Sequence, residues 1–299
     1  MFEQAYTIEK IAPRFSIVLY ENTLKKSRPR TRIRRIAIHR LFYLYAKFSM
    51  YEDIFILNEK YPPRKSRRKY TKKLIQKMAK RFAFNEELAS KVLPLASKTD
   101  EESTKQLLTL YNTEPNFHLF RFIFYIKLKI KDKAGLKYCL SELSGINPVF
   151  KLVYILKQVP KKMPSYVHKY ASQVSLSNQQ KMDILYLYGI YLRDRHRYRM
   201  AVRYLRMSSS FNTFNTSKRY LNRSLTEAAR VLITSGRSRE GCSLARGKKI
   251  YVQNTADKLL HFYCKERNIQ KIRTLKPALL QLAEKENNLF FKKILKIVY

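Results

Sequence analysis

The stretch Asp183–Ser208, DILYLYGIYLRDRHRYRMAVRYLRMS, decides how the rest of the chain is read. Apolar residues recur at helical spacing on both sides of a charged break, Arg193-Asp194-Arg195-His196-Arg197, so two amphipathic helices fold back on each other. Gly189 and Ala201, one in each helix, lack a bulky side chain and let the two backbones cross closely. Leu185, Leu192, Tyr198, Val202 and Leu205 are expected to fill the seam.

The spacing fits a tetratricopeptide-like (TPR-like) hairpin, whose pattern places a Gly in the first helix and an Ala in the second. The Gly and Ala match in register, with Leu185, Tyr188, Leu192 and Leu205 in the remaining slots; the pattern's final Pro has no counterpart. An ordinary hairpin without repeat ancestry shows the same spacing.

Downstream, a polar loop leads to a helix over Tyr220–Ser235, with Gly236 where a terminating glycine belongs. The segment carrying Gly241 and Gly247 reads as a basic connector. Thr255–Glu266 and Ile269–Glu284 form another pair, and Asn287–Tyr299 closes the sequence. Upstream, Ile17–Lys26, Arg34–Phe48, a helix opening at Tyr51, a hairpin over Pro115–Leu143, and the pair Pro148–Val159 and Tyr166–Val174 are all helical. No strand-like alternation of useful length occurs, and six glycines in 299 residues disfavour sandwich and nucleotide-binding folds. The expected fold is all-α, a right-handed α-solenoid of stacked helical hairpins. A polar hinge at Ser97–Lys105, with Asp100 or Thr99 as helix cap, is the candidate boundary between a basic N-terminal region (1–97) and a helical-repeat domain (106–299); within one continuous solenoid it is instead a long inter-helix turn.

Charge is the outlying property. Lys and Arg number 62 against 22 Asp and Glu, a formal +40. Most of this charge must lie on the surface, where it attracts polyanions. Nucleic acid leads as partner, RNA ahead of DNA, followed by an anionic membrane face or an acidic protein. Three clusters are the candidate phosphate contacts. The first is KKSRPRTRIRR, offering Lys25, Lys26, Arg28, Arg30, Arg32, Arg34 and Arg35; a nuclear-import signal or a solvated linker has the same composition. The second begins at Arg64 and offers Arg64, Lys65, Arg67, Arg68, Lys69, Lys72 and Lys73, with further lysines at 77 and 80 pointing outward. The third is the arginine row of the opening hairpin, Arg193, Arg195, Arg197, Arg199, Arg203 and Arg206. Tyr191, Tyr198 and Tyr204 lie between these arginines, placed either to stack on bases or to fill the core.

Little points to catalysis. The five histidines, His39, His118, His168, His196 and His261, are scattered without a metal-binding spacing. GCSLARGKK at Gly241–Lys249 misses the phosphate-loop pattern by one residue and lacks a preceding strand. No enzyme activity, cofactor or metal is expected. Cys139 reads as core, and three cysteines without a paired spacing argue against a disulfide framework and for a reducing compartment. No apolar run reaches transmembrane length. Glu3 and Glu9 suit neither a secretory signal nor a mitochondrial presequence.

The order of the later elements resembles the PCI family, the helical scaffolds of the proteasome lid, the signalosome and translation-initiation complexes, and most closely its nuclear transcription–export branch. The residues that carry it are FYIKLKIKDKAGLKYCLSEL (Phe124–Leu143), YGIYLRDRHRYRMAVRYLRM (Tyr188–Met207), SKRYLNRSLTEAARVLITSG (Ser217–Gly236) and FYCKERNIQKI (Phe262–Ile272), followed by NLFFKKI near the end. Ala201-Val202-Arg203-Tyr204-Leu205, Lys218-Arg219, Gly236 and Asn268 match the family's soft motifs. The family continues into a winged-helix half that residues up to Tyr299 do not supply. The resemblance implies a non-enzymatic scaffold in a nuclear mRNA-processing or export complex, with protein subunits and RNA as partners. Alternatives are a subunit of a proteasome-lid or signalosome-type complex, or an organellar RNA-binding or ribosome-associated factor in the mitochondrion or cytoplasm.

Overall fold

Every regular element among the described residues of the computed structural model is helical, as the scarcity of glycine and the apolar spacing require. The structure describes residues 1–48, 50–61, 72, 75, 76, 79, 84–97, 100–113, 116, 119, 120, 123, 124, 127, 128, 132–146, 148–171, 175–211, 218–247, 250, 252 and 254–298. Its contacts group residues 1–6 with 19–142 as one compact unit, and residues 7–18 with 143–299 as another.

The first unit is carried by the start of α1 (Phe2–Ile11), the second half of α2 (Pro13–Lys26), α3 (Arg32–Lys47), α4 (Tyr51–Lys60), α5 (Glu86–Ser97), α6 (Glu101–Thr113) and most of α7 (Lys133–Ile146); residues 7–18 of α1 and α2, and the last residues of α7, group with the second unit. Thr31 starts α3 by accepting the Arg34 N–H at 3.3 Å. Ala37, Ile38, Leu41, Phe42, Leu44 and Tyr45 then form its buried stripe. In turn α3 packs on α4, α4 on α5, and α5 on α6. Asp100 caps α6, its Oδ1 accepting the Ser103 N–H at 2.6 Å. The hinge expected at Ser97–Lys105 therefore falls between two packed helices inside this unit. Asp132 begins α7, accepting the Gly135 N–H at 2.9 Å and pairing with buried Lys127 at 2.6 Å. Both donated hydrogen bonds, Lys127 first, hold the Asp132 carboxyl below the usual aspartate range. Cys139 is fully buried, and loss of water pushes its thiol up to about 11, as suits a core residue.

The second unit contains α8 (Val149–Gln158), α9 (Met163–Ala171), α10 (Asn178–Asp194), α11 (Tyr198–Ser210), α12 (Lys218–Thr234) and α13 (Ser238–Gly247). The opening hairpin is α10 and α11. A reciprocal capping box between Ser177 and Gln180 begins α10. At its end the Arg197 N–H donates to the Leu192 carbonyl and the His196 N–H to the Arg193 carbonyl, each at 2.9 Å. His196 takes the left-handed conformation usually given to glycine in this termination, with φ of 58°. A Cβ on Gly189 would lie 2.7 Å from Leu205 Cγ and 3.4 Å from the Ala201 carbonyl, so the close crossing is real. Leu192, Ala201, Val202 and Leu205 are buried together, with Tyr186, Tyr188, Tyr191, Tyr198 and Tyr204 half-buried against them.

The next two helices repeat this construction. Asn178–Asp194 and Lys218–Thr234 are both 17 residues long and begin 40 positions apart, as do Tyr198 and Ser238. The turn is remade with Gly236 at φ of 90°, the Arg237 N–H on the Leu232 carbonyl at 2.9 Å and the Gly236 N–H on the Ile233 carbonyl at 3.0 Å. The small pair is exchanged: Gly189 and Ala201 become Ala229 and Gly241. A Cβ on Gly241 would lie 2.8 Å from the Ala229 carbonyl oxygen. The segment read as a connector is thus the second helix of a hairpin. Its glycine serves a close backbone approach rather than a loop.

The remaining elements are α14 (Thr255–Leu260), which runs on through one wider π-helical turn to Glu266, then α15 (Ile269–Thr274), α16 (Lys276–Lys285) and α17 (Leu289–Val298). Asn254 and Asp257 form a second capping box, and Asn268 caps α15. Pro277 at the start of α16 separates it from α15, splitting the single helix expected over Ile269–Glu284. Helix α17 packs on α12.

One expectation is overturned. Cys242 and Cys264 form a disulfide between α13 and the π-helical turn, their Cα atoms 4.8 Å apart. No spacing motif announces it, because a folded-back helix brings together two residues 22 apart in sequence. Among the described residues no helix is long and apolar enough to cross a membrane.

Candidate nucleic-acid interface

Positions 199, 203 and 206 follow the i, i+4, i+7 spacing of one helix face, so α11 places Arg199, Arg203 and Arg206 in a row. All three are exposed. They line an open groove of about 700 Å³ together with Val202, Met207 and Arg237. Arg237 comes from the turn of the following hairpin, so the groove belongs to two consecutive repeat units. Neither Arg199 nor Arg203 makes an ion pair among the described residues. Val202, buried, and Met207, 39% exposed, supply an apolar floor. Four guanidinium groups on such a floor suit planar, bidentate recognition of phosphate oxygens.

One carboxylate stands at the edge. Arg237 places Nε 2.6 Å from Glu240 Oε1 and Nη2 2.5 Å from Oε2. That fork, then the nearby charges of Arg237 and Arg206, holds the Glu240 carboxyl below its usual range.

The other arginines of the row go elsewhere. Arg193 turns inward to Glu227, Nη1 to Oε1 at 2.5 Å, and also pairs with Asp194 at 2.7 Å. Glu227 is only 1% exposed and pairs as well with Arg230, which lies 3.5 Å from Asp257. Burial lowers the Arg230 pKa, with Asp257 opposing that effect; Asp257 likewise supports Arg14, also lowered by burial. This network holds α10, α12 and α14 together and borders a polar cavity of about 450 Å³ beside Asn287–Phe290. Arg193 is a structural cation, not a groove residue. Arg195 lies over the Tyr191 ring at 5.7 Å, and Arg197 is exposed in the turn; neither lines the groove. Tyr188 stacks on Tyr191 and meets Tyr204 edge-on at 4.6 Å, so these rings are committed to packing.

In the first unit, Lys25, Lys26, Arg28, Arg30, Arg32 and Arg35 are exposed around the α2–α3 turn, with Arg30 at φ of 66°. Arg34 faces inward. Its Nη1 donates to the Leu24 and Ser27 carbonyls at 3.1 and 2.6 Å, and its Nη2 to Tyr61 Oη at 2.8 Å. It therefore secures the end of α2, where free carbonyls favour a cation. Lys72 is exposed; Arg64, Lys65, Arg67, Arg68, Lys69 and Lys73 lie outside the described residues. Within the described residues no three His, Cys, Asp or Glu side chains gather to hold a metal. The phosphate-loop near-match at Gly241 is helical through Gly247.

No family model, curated protein or solved structure matches the chain.

Arg237 and Glu240 were not among the residues singled out from sequence. The signal that finds Arg237 is the 40-residue displacement, which puts it in the same turn position as Arg197.

Proposed function

We propose that the chain is a non-enzymatic helical-repeat scaffold of TPR/PCI type, a right-handed solenoid of hairpins, which binds the RNA backbone and protein subunits of a nuclear mRNA-processing or export complex. The observation that carries the nucleic-acid part is the groove lined by Arg199, Arg203, Arg206 and Arg237 in a chain of formal charge +40. The packing of α10 on α11, α11 on α12 and α12 on α13, with the turn remade 40 residues on, supports the solenoid. Because the interleaved tyrosines are used in the core, recognition rests on phosphates and carries little base preference.

The test is fluorescence anisotropy of a labelled single-stranded RNA against the full chain, over a salt series. Affinity falls steeply with salt, and the variant R199Q/R203Q/R206Q binds at least about tenfold more weakly. Its log–log salt slope is shallower by about 2, near 0.7 for each of three lost phosphate contacts. Binding indifferent to salt, or a variant that binds as the parent does, contradicts the reading. Imaging of a tagged copy tests the nuclear assignment; mass spectrometry of the nuclease-treated complex tests for protein subunits.

A further inference from the structure

Glu240, the carboxylate paired with the groove's Arg237, has a place that packing alone does not require. Glu240 lies in the first turn of α13, where its charge suits the helix N-terminus. Its two oxygens occupy the Nε and Nη2 donors of Arg237, the donor pair with which a guanidinium grips a phosphate. Arg206, another lining residue carried by α11, is near enough for its charge to act on this carboxylate too. A carboxylate contacting one lining arginine and near another stands where an anionic ligand would stand. The pair is open to solvent, Arg237 46% and Glu240 50% exposed, so its hold is weak and an incoming phosphate can displace it.

We infer that Glu240 is a built-in competitor for the groove: its carboxylate occupies the Arg237 fork in the free protein and is displaced when a nucleic-acid phosphate binds. The inference rests on the backbone-binding reading above. Glu240 acts through Arg237 and is therefore a positioning residue that sets affinity. Two consequences follow for the ligand class. A backbone phosphate, which offers two oxygens in one plane to the fork, replaces the carboxylate bond for bond. A neutral or cationic ligand gains nothing from the exchange.

The experiment measures the same single-stranded RNA against the full chain carrying E240Q, R237Q, R237Q/E240Q or E284Q. Glu284, an exposed acid on α16 that does not line the groove, controls for net charge. E240Q binds roughly three- to tenfold more tightly than the parent, with a salt slope steeper by about 0.7, one additional phosphate contact. In the R237Q background the gain from E240Q falls below about twofold, and E284Q gives none. An equal gain from E284Q, or a gain retained without Arg237, reduces the effect to net charge and overturns the inference. Unchanged affinity in E240Q while R199Q/R203Q/R206Q still weakens binding overturns the inference alone. Failure of that triple variant to weaken binding overturns the groove reading and this inference with it.

Discussion

Among single residues, the ones that differ most from their sequence neighbours are cations that have turned inward. Arg34, Arg193 and Lys127 sit in basic surroundings, yet each is consumed by carbonyls or a carboxylate. Nearby Arg32 and Arg35, Arg195 and Arg197, and Lys133 remain in solvent. Sequence shows the charge but not its direction, because the partner lies on another helix, as buried Glu227 does for Arg193, or sits in a turn, as half-buried Asp132 does for Lys127. Lys127 illustrates the energetics. It is 7% exposed, so removing the Asp132 charge strands it in a poorly solvated place. D132N is expected to cost about 2–3 kcal/mol at pH 7, between the values for exposed and fully buried pairs. The pH dependence has a definite sign. The folded carboxyl titrates below the unfolded value of about 3.9, so its stabilisation is complete above that value. It is lost as pH falls through the folded value. Urea unfolding of parent and D132N should therefore differ at pH 7 and converge well below pH 4; an equal difference at both contradicts the pair's role.

Elements were the most legible level. The opening hairpin is found where its spacing put it, with the crossing at Gly189 and the turn at Arg195–His196. The next hairpin was half missed. Gly241 looked like a linker residue because glycine is a poor helix former, about 1 kcal/mol below alanine. Its reason for being there, the Ala229 carbonyl against it, is a tertiary contact that local pattern does not display. The 40-residue repeat would have exposed it, since Ala201 and Gly241 occupy the same position. The disulfide between Cys242 and Cys264 escaped for a related reason: it joins α13 to the turn after α14, and neither flank carries a paired-cysteine spacing. The two glycines give a prediction. On an open helix surface Gly→Ala stabilises, but here the new methyl meets Leu205 at position 189 and a backbone oxygen at position 241. A side chain can shift more cheaply than a helix backbone, so G241A should destabilise more than G189A, by roughly 2–3 against 1–2 kcal/mol. Thermal unfolding of both variants decides it, and a stabilised G241A would refute the close approach.

At the scale of the whole molecule, the formal +40 charge dominates what the chain attracts. Composition alone pointed to a polyanion but could not choose among the basic clusters, since each reads as a solvated face. Geometry separates the two clusters that lie within the described residues. Arg199, Arg203, Arg206 and Arg237 converge on one groove drawn from two repeat units, while Lys25–Arg35 is spread around an exposed turn. That convergence required the second hairpin to fold, which is why no single stretch of sequence revealed it. Cysteine count likewise misled about pairing, because a disulfide depends on which helices meet. The most direct measurement of the central claim is photo-crosslinking of the full chain to a 4-thiouridine RNA, with the attached peptides mapped by mass spectrometry. The account predicts adducts on 198–210 and 237–247 that disappear in R199Q/R203Q/R206Q. Adducts confined to other basic segments, with none on these two helices, would contradict it.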